Sequence, residues 1–547
     1  MRILLCAGLV ATLTAGARAQ SLTPDQSKRI DSVFAQFDGT ARPGCAVGVS
    51  QAGAPVYSRG FGMSDLQHGV PITPQSIFHV ASVSKEFTAF AVALLAQDGK
   101  LSLDDEVRKY IPELPDYGHK ITIRHLIYHT SGIRDQWELL GMAGWRYPED
   151  LFTQEDVLDI VIRQKELNFN PGDEYLYSNS GYSLLAMIAQ RVSGKTFREF
   201  ADERIFKPLG MTSTHVHDDH AMIVPGRTSA YEMGKGGWKI SIPDFDTHGA
   251  TSLFTTPGDL LKWQQNFESR TVGSEALIKD ALTSVILNNG KPANYGFGLS
   301  LETYRGAQAY GHGGADAGYR ADVIRFPAQR LAVAVTCNFG EATPGTYSRA
   351  VADIVLGDKL TPVPPAPKAG TVTLAAARLA QLAGVYKAAT NDHAFRMTVK
   401  DGKVVLENFG VTLEAVDESH FTIFGTPVEF FGAPNAVPVG VRARAMGDSM
   451  LRVPAYTPTP AQLANFAGEY WSDELRVSYR VDVRDSSLVV HPFKHPEQVV
   501  APGFPDAFVG GQLGTVHFTR IKGQVTGFRL TGGRVRNVAF TKGAKRP

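Results

Sequence analysis

The chain has 547 residues, enough for about three domains of roughly 150 residues each. Apolar residues make up 43 % and charged residues 20 %, which excludes a disordered chain and a long coiled coil. Lys plus Arg is 55 against 54 for Asp plus Glu, so the formal charge of +1 leaves no electrostatic footprint for nucleic acid or an anionic membrane surface.

The first predicted element is an address. Arg2, an apolar run over 3–14 and the small-residue stretch Ala17-Arg18-Ala19 have the layout of a cleavable export signal over 1–19. The run is too short to span a bilayer, and no other segment reaches ~18 uninterrupted apolar residues. A periplasmic or secreted mature chain is therefore expected. Thr23-Pro24-Asp25-Gln26 is a capping box, opening a helix with Ile30, Val33, Phe34 and Phe37 on one face. Residues 44–51 and 55–60 read as a hairpin. Helical periodicity recurs over 84–97, 153–163, 181–192, 196–205 and 257–267. Two strands flank Pro327-Ala328-Gln329-Arg330 within 319–338, and a last helix covers 347–356. Strands at both ends with helices between them predict one α/β or α+β domain over 20–360. Cys6 falls in the export signal. Cys45 and Cys337 lie in apolar strand-like runs, either as buried free thiols or as a cross-strand pair.

Next comes Thr361-Pro362-Val363-Pro364-Pro365-Ala366-Pro367, within a stiff linker over 361–374. Beyond it the pattern turns to short strands and turns, and it repeats. Leu379-Ala380-Gln381-Leu382-Ala383-Gly384-Val385-Tyr386 returns 84 residues on as Leu463-Ala464-Asn465-Phe466-Ala467-Gly468-Glu469-Tyr470. Arg396, Val399, Asp401 and Val405 likewise return as Arg480, Val483, Asp485 and Val489. Two copies of one module are expected, over 375–456 and 461–547, each a small antiparallel β-barrel without exposed edges. The second copy carries a longer loop, spanning 493–504.

Three stretches carry chemistry. In Ser82-Val83-Ser84-Lys85 the serine and lysine share a helix face, and a desolvated lysine can take a proton from the hydroxyl. In Tyr177-Ser178-Asn179 a phenol beside a cation can ionise and act as a base, while the amide both donates and accepts. In Gly311-His312-Gly313-Gly314-Ala315 the glycines let a substrate backbone lie along a strand edge, with His312 facing the same groove. Each alone also fits a capped helix or a glycine-rich turn. A fourth stretch, His215-Val216-His217-Asp218-Asp219-His220, has complete metal-ligand spacing. It follows a helix rather than an apolar strand, so a solvated loop is expected and no metal is assigned.

In order and spacing the first three stretches resemble the serine β-lactamase and penicillin-recognising hydrolase superfamily, in its class C branch, over residues 25–356. Ile121-Thr122-Ile123-Arg124-His125-Leu126, His129-Thr130-Ser131-Gly132-Ile133, Asn170-Pro171-Gly172 and Tyr295-Gly296-Phe297-Gly298-Leu299 agree as well. Arg134-Asp135 with Trp137, and the two-barrel tail, narrow the resemblance to the D-aminopeptidase-like members. The fold this implies is multidomain: an α/β (α+β) serine β-lactamase-like domain with a central antiparallel sheet, then two small antiparallel β-barrels.

The resemblance implies Ser82 as the acylated nucleophile, with Lys85 and Tyr177 sharing the proton work. Asn179 orients Lys85 and the substrate. Backbone N–H groups of Ser82 and Ala315, beside Gly314, form the oxyanion hole. His312 stands where many relatives have Lys, and Gly313 where they have Thr. A largely neutral His binds a carboxylate less well, which suits a peptidase gripping an amine end, or an esterase. In the D-aminopeptidase-like layout a loop of the last domain reaches the site. Glu497 would then face the substrate ammonium, with Asp135 competing. The expected function is a serine hydrolase that works through an acyl-enzyme and releases N-terminal D-amino acids. The alternatives are an esterase or a β-lactamase or D-Ala carboxypeptidase on the same site, a non-catalytic penicillin- or peptide-binding receptor, and a metallohydrolase. Expected partners are small peptide, amide or ester substrates, with no cofactor, nucleic acid or membrane span, and with a homodimer left open.

Overall fold

Thr23 accepts from the Gln26 backbone N–H at 3.1 Å, and the Gln26 side chain returns the bond, so the helix Pro24–Phe34 starts where the capping box places it. The structure is a computed structural model that describes residues 21–147, 149–362, 372–423, 426–434, 436–443 and 449–543. The predicted export signal and most of the proline-rich linker lie outside the described residues.

A six-stranded antiparallel sheet has the order Ser300–Tyr304, Ala307–Asp316, Tyr319–Phe326, Leu331–Cys337, Cys45–Gln51, Ala54–Phe61. Two adjacent interior strands, LAVAVTC and CAVGVSQ, are apolar almost throughout because both faces are covered and every residue is buried. Ile30 and Phe34 of the first helix and Val351 and Val355 of Pro344–Leu356 pack on one face. Leu260 and Leu261 of Pro257–Ser269 pack on the other, with the remaining helices. The first strand pairs with the last of the sheet, Cys45 opposite Cys337, and these two cysteines form a disulfide. That settles the alternative the sequence left open.

Behind the sheet the helix Ser84–Gln97 is buried on nearly every side, and it packs against Asn179–Ser193. A helix that is apolar all round belongs in a domain core. Lys85 and Glu86 are its only charged residues, both 0 % exposed, and each therefore needs a specific set of partners.

The tail forms two antiparallel barrels. The first is a nine-stranded sheet whose edge strands, Val411–Thr412 and Glu414–Ala415, are separated by Leu413 alone, so the sheet is nearly closed. The second is a closed eight-stranded barrel from Gly468–Ser472 to Val535–Lys542. The repeat survives in atomic detail. Tyr386 donates its hydroxyl to the Leu382 carbonyl at 2.8 Å, and Tyr470 to that of Phe466 at 2.7 Å. Asp401 and Asp485 both take a left-handed turn conformation, at φ 51° and 54°.

The second barrel is bolted to the first domain. Arg134 Nη1 lies 2.6 Å from Glu474 Oε1, with both side chains buried, and Tyr479 donates to the Met142 carbonyl at 2.7 Å. Among the described residues no helix is long and apolar enough to cross a membrane.

Candidate active site

The chain turns from the strand Phe78–His79 through a single 3-10 turn, Ala81–Val83, into the helix Ser84–Gln97. Ala81 is held at φ 47°, a left-handed value that costs a non-glycine residue energy, so the turn carrying Ser82 is a strained one. Lys85 follows one turn later with its Nζ 3.2 Å from Ser82 Oγ. The same ammonium group donates to Asn179 Oδ1 at 2.8 Å and to the Ala250 carbonyl at 2.7 Å. Complete burial drives the Lys85 pKa well below its ordinary value. Asp135 and Asp316 pull against that shift, while Arg534 adds to it.

Asn179 opens the helix Asn179–Ser193. Its backbone N–H and its side-chain Nδ2 both donate to Asp135 Oδ2, at 2.7 and 2.9 Å. The amide is thereby oriented with Oδ1 toward Lys85. Burial alone would raise the Asp135 pKa. The Arg534 charge and the hydrogen bonds that the carboxylate accepts outweigh burial and hold it below the usual range. Asp135 also accepts from the Trp137 N–H at 3.0 Å, as the cap of Gln136–Met142.

Tyr177 lies across Lys85, its ring centroid 4.7 Å from Nζ. Its hydroxyl is buried with no hydrogen-bond partner of ordinary geometry. Burial raises its pKa, and the nearby Ser82 hydroxyl offsets only part of the rise. The ionised phenol that the sequence allowed is thus disfavoured, and Tyr177 stands as a neutral phenol. Behind it lies His129, its ring 4.3 Å away, which accepts from the Ser178 N–H at 3.0 Å.

His312 sits behind Tyr177, their ring centroids 6.0 Å apart. Its Nδ1 lies 2.5 Å from the Gly313 carbonyl, which can only accept, so Nδ1 carries the proton and Nε2 accepts from the Tyr295 hydroxyl at 3.0 Å. Burial and the Lys85 charge push its pKa down to about 4. A Cβ on Gly314 would fall 2.1 Å from the Val80 carbonyl and 3.2 Å from the Ser82 nitrogen. Only glycine allows this strand to lie so close to the Ser82 turn. Ser82, Tyr177, Asn179 and Ala315 all line one pocket of about 570 Å3.

The Beta-lactamase family matches residues 30–356. The chain belongs to that family. Penicillin-binding protein 4* of Bacillus subtilis is 29 % identical over 337 residues, covering 58 % of this chain and 71 % of that protein. The D-aminopeptidase of Gluconobacter oxydans is 28 % identical over 310 residues, 56 % of this chain and 58 % of that protein. The match therefore spans little more than half the length of the D-aminopeptidase. Among solved structures, the octameric penicillin-binding protein homologue from Pyrococcus abyssi has a TM-score of 0.57 at 22 % identity, over 87 % of this chain and 99 % of that one. The D-amino acid amidase from Ochrobactrum anthropi SV3 has a TM-score of 0.53 at 22 % identity, over 60 % and 99 %. These two likenesses establish the fold.

Around this Beta-lactamase-family pocket several placements differ from expectation. Glu497 is exposed and is gripped by Arg484 through two bonds of 2.8 and 3.0 Å, so it is not a pocket residue. Its loop instead packs outside the pocket wall. Phe493 covers Gly144, and His495 Nε2 lies 2.8 Å from the Gly141 carbonyl. Asp135 is buried under Asn179 and Arg534 rather than open to a substrate. The residue of the last domain that does reach the pocket is Arg534, at a hairpin turn. Arg534 Nη2 stands 3.3 Å from Asp135 Oδ1 and its Nε 2.9 Å from Glu138 Oε1. The sequence signal there is a Gly532-Gly533 turn, which marks a hairpin and not a site.

The histidine phrase does not converge. His215 and His217 stack on Phe254, with centroids 5.6 and 4.5 Å away, Asp218 pairs with Arg198, and His220 pairs with Asp246 at 3.0 Å. Among the described residues, Asp219, His220 and Asp246 are the only ligand-type atoms gathered within 4.8 Å.

Proposed function

We propose that the chain is a serine hydrolase that forms an acyl-enzyme on Ser82 and releases the N-terminal residue, preferentially a D-residue, of small peptides or amides. The observation that carries the reading is the line from Ser82 Oγ, at the pocket, to the buried Lys85 Nζ, 3.2 Å, and from Lys85 Nζ to the buried Asn179 Oδ1, 2.8 Å. A lysine of lowered pKa is neutral often enough to accept the serine proton as Oγ attacks the carbonyl carbon. The oxyanion faces the Ser82 and Ala315 N–H groups. Tyr177, a neutral phenol above Lys85, donates its proton to the leaving nitrogen as the C–N bond breaks and takes in its place the proton that Lys85 received from Ser82, so that phenol and amine are both neutral again. Water then attacks the ester by the same route in reverse and regenerates Ser82.

The substrate class rests on the pocket and the relatives. Trp137, Trp145 and Phe152 make an aromatic wall suited to an apolar acyl side chain. A neutral His312 supplies no cation for a carboxylate, and Arg534 is already engaged by Asp135 and Glu138. Proteins named D-aminopeptidase and D-amino acid amidase are among those similar to this chain. The Cys45–Cys337 disulfide agrees with export to an oxidising compartment.

Turnover of D- and L-aminoacyl amides, esters and a chromogenic cephalosporin tests the reading, together with Ser82→Ala. The D-aminoacyl amides should be hydrolysed best, the variant should lose at least 1,000-fold on the order expected for a lost nucleophile, and a slow acylating inhibitor should label Ser82. Labelling at another residue, or activity retained in Ser82→Ala, would overturn the mechanism.

A further inference from the structure

We infer that Asp316 is the carboxylate that receives the free α-ammonium of the substrate, an assignment that rests on the hydrolase reading above and adds its specificity device. Along the strand Ala307–Asp316, side chains alternate between faces, so His312, Gly314 and Asp316 share one. His312 on that face backs Tyr177, Gly314 abuts the Ser82 turn, and Asp316 lines the pocket with Ser82 and Ala315. An acyl carbonyl held between the Ser82 and Ala315 N–H groups has the substituents of its α-carbon beside the residue that follows Ala315.

The charges lining the pocket leave that role to Asp316. Arg534 is taken by Asp135 and Glu138. Arg320 donates to the carbonyls of Ala317 and Tyr319 at 2.8 and 2.7 Å. Glu232 is exposed at the rim and accepts from Ser241 Oγ at 3.4 Å. Asp316 is nearly buried, its side chain 11 % exposed, and among the described residues no Lys or Arg forms an ion pair with it. Its Oδ2 is fixed from the scaffold side by His79 Nε2 and Thr251 Oγ1, each at 3.1 Å, and both of those residues are buried. Among the described residues its Oδ1 meets a single side-chain donor, the hydroxyl of Tyr147, whose residue is 43 % exposed. One oxygen is thus built into the wall, and the other is offered to the pocket with a displaceable phenol on it. An ammonium is the stronger donor to a carboxylate and takes the place of a neutral hydroxyl there.

The test compares matched amides with a free and an N-acetylated α-amine in wild type, Asp316→Asn, Glu232→Gln and Tyr147→Phe. Wild type should prefer the free amine by kcat/KM. Asp316→Asn, nearly isosteric, should lower that preference at least tenfold, mainly through KM, whereas Tyr147→Phe should keep or increase it. In wild type, KM should also rise above the pH at which the substrate amine loses its proton, about 8 for an α-amino group, and this rise should flatten in Asp316→Asn. Inhibitor labelling of Ser82 and an unchanged melting profile in Asp316→Asn guard against simple misfolding. A preference unchanged in Asp316→Asn, or lost in Glu232→Gln instead, overturns the assignment. Absence of free-amine hydrolysis in wild type would instead overturn the aminopeptidase reading itself.

Discussion

Arg534 and Asp135 face each other across a domain boundary, Nη2 to Oδ1 at 3.3 Å, and the contact is the first link of a chain that ends at the Ser82 hydroxyl. Asp135 holds both nitrogens of Asn179, Asn179 holds Lys85, and Lys85 holds Ser82 Oγ. Gly533 precedes Arg534 at the turn, in a left-handed conformation that favours glycine. It sits at φ 54°, and a Cβ there would lie 2.9 Å from Glu138 Oε1. Arg534 is therefore a positioning residue supplied by the C-terminal barrel.

Replacing Arg534 by Met should leave a buried carboxylate without its counter-charge. Breaking a fully buried pair costs roughly 3–5 kcal/mol, and with Arg534 30 % exposed the lower end applies. The kcat should fall more than tenfold with a smaller change in KM. Because Arg534 lowers the Lys85 pKa, its loss should raise it and move the acid limb of the kcat/KM profile to higher pH. A loss of stability with an unmoved pH profile would show that Arg534 only fastens the domains together.

Glu86 offers a pH-dependent stability. Its carboxyl is pushed from 4.5 up to about 8 by burial, against donation from Trp263 Nε1 at 2.6 Å and Gln264 Nε2 at 3.1 Å. Between about pH 4.5 and 8 the unfolded chain has lost this proton and the folded chain keeps it, so stability falls as pH rises, by up to ~1.4 kcal/mol per unit. Glu86→Gln keeps the acceptor and removes the titration. Its melting temperature relative to wild type should climb from pH 5 to pH 8, and parallel curves would refute this.

Chelation should leave hydrolysis unchanged. The three histidines and Asp218 of the phrase are engaged by Phe254, Asp246 and Arg198, and His217 is pushed down to about 3 by burial and neighbouring positive groups. Incubation with a strong chelator, then assay with and without zinc, checks it. Activity lost and then restored by zinc would return a metal to the mechanism.

The Cys45–Cys337 disulfide closes a separation of 292 residues between the first and last core strands of its sheet. The double variant Cys45→Ser, Cys337→Ser should lose about 2–4 kcal/mol in urea unfolding while acylation of Ser82 persists. Equal midpoints for variant and wild type would mean that the strand pairing alone carries the stability.

By itself the sequence determined what short-range rules can reach. The capping box at Thr23, the helical pattern over 153–163, the apolar strand-like runs around Cys45 and Cys337, the 84-residue repeat that matches Asp401 with Asp485, and the order Ser82, Tyr177, His312 are all local or periodic signals. Such signals are written within a few residues of where they act. Tertiary structure decided what depends on partners distant in the chain. Glu497 and Arg534 lie in the same barrel, and both carry charge at turns. Glu497 is taken up inside the barrel by Arg484, whereas the docking of that barrel, through Arg134 and Glu474, carries Arg534 into the pocket. The pKa shifts of Lys85, Tyr177 and His312 arise likewise from burial, which no spacing of residues encodes. Asp316 is one more acidic residue at a strand end until folding brings His79, Thr251 and Tyr147 around it.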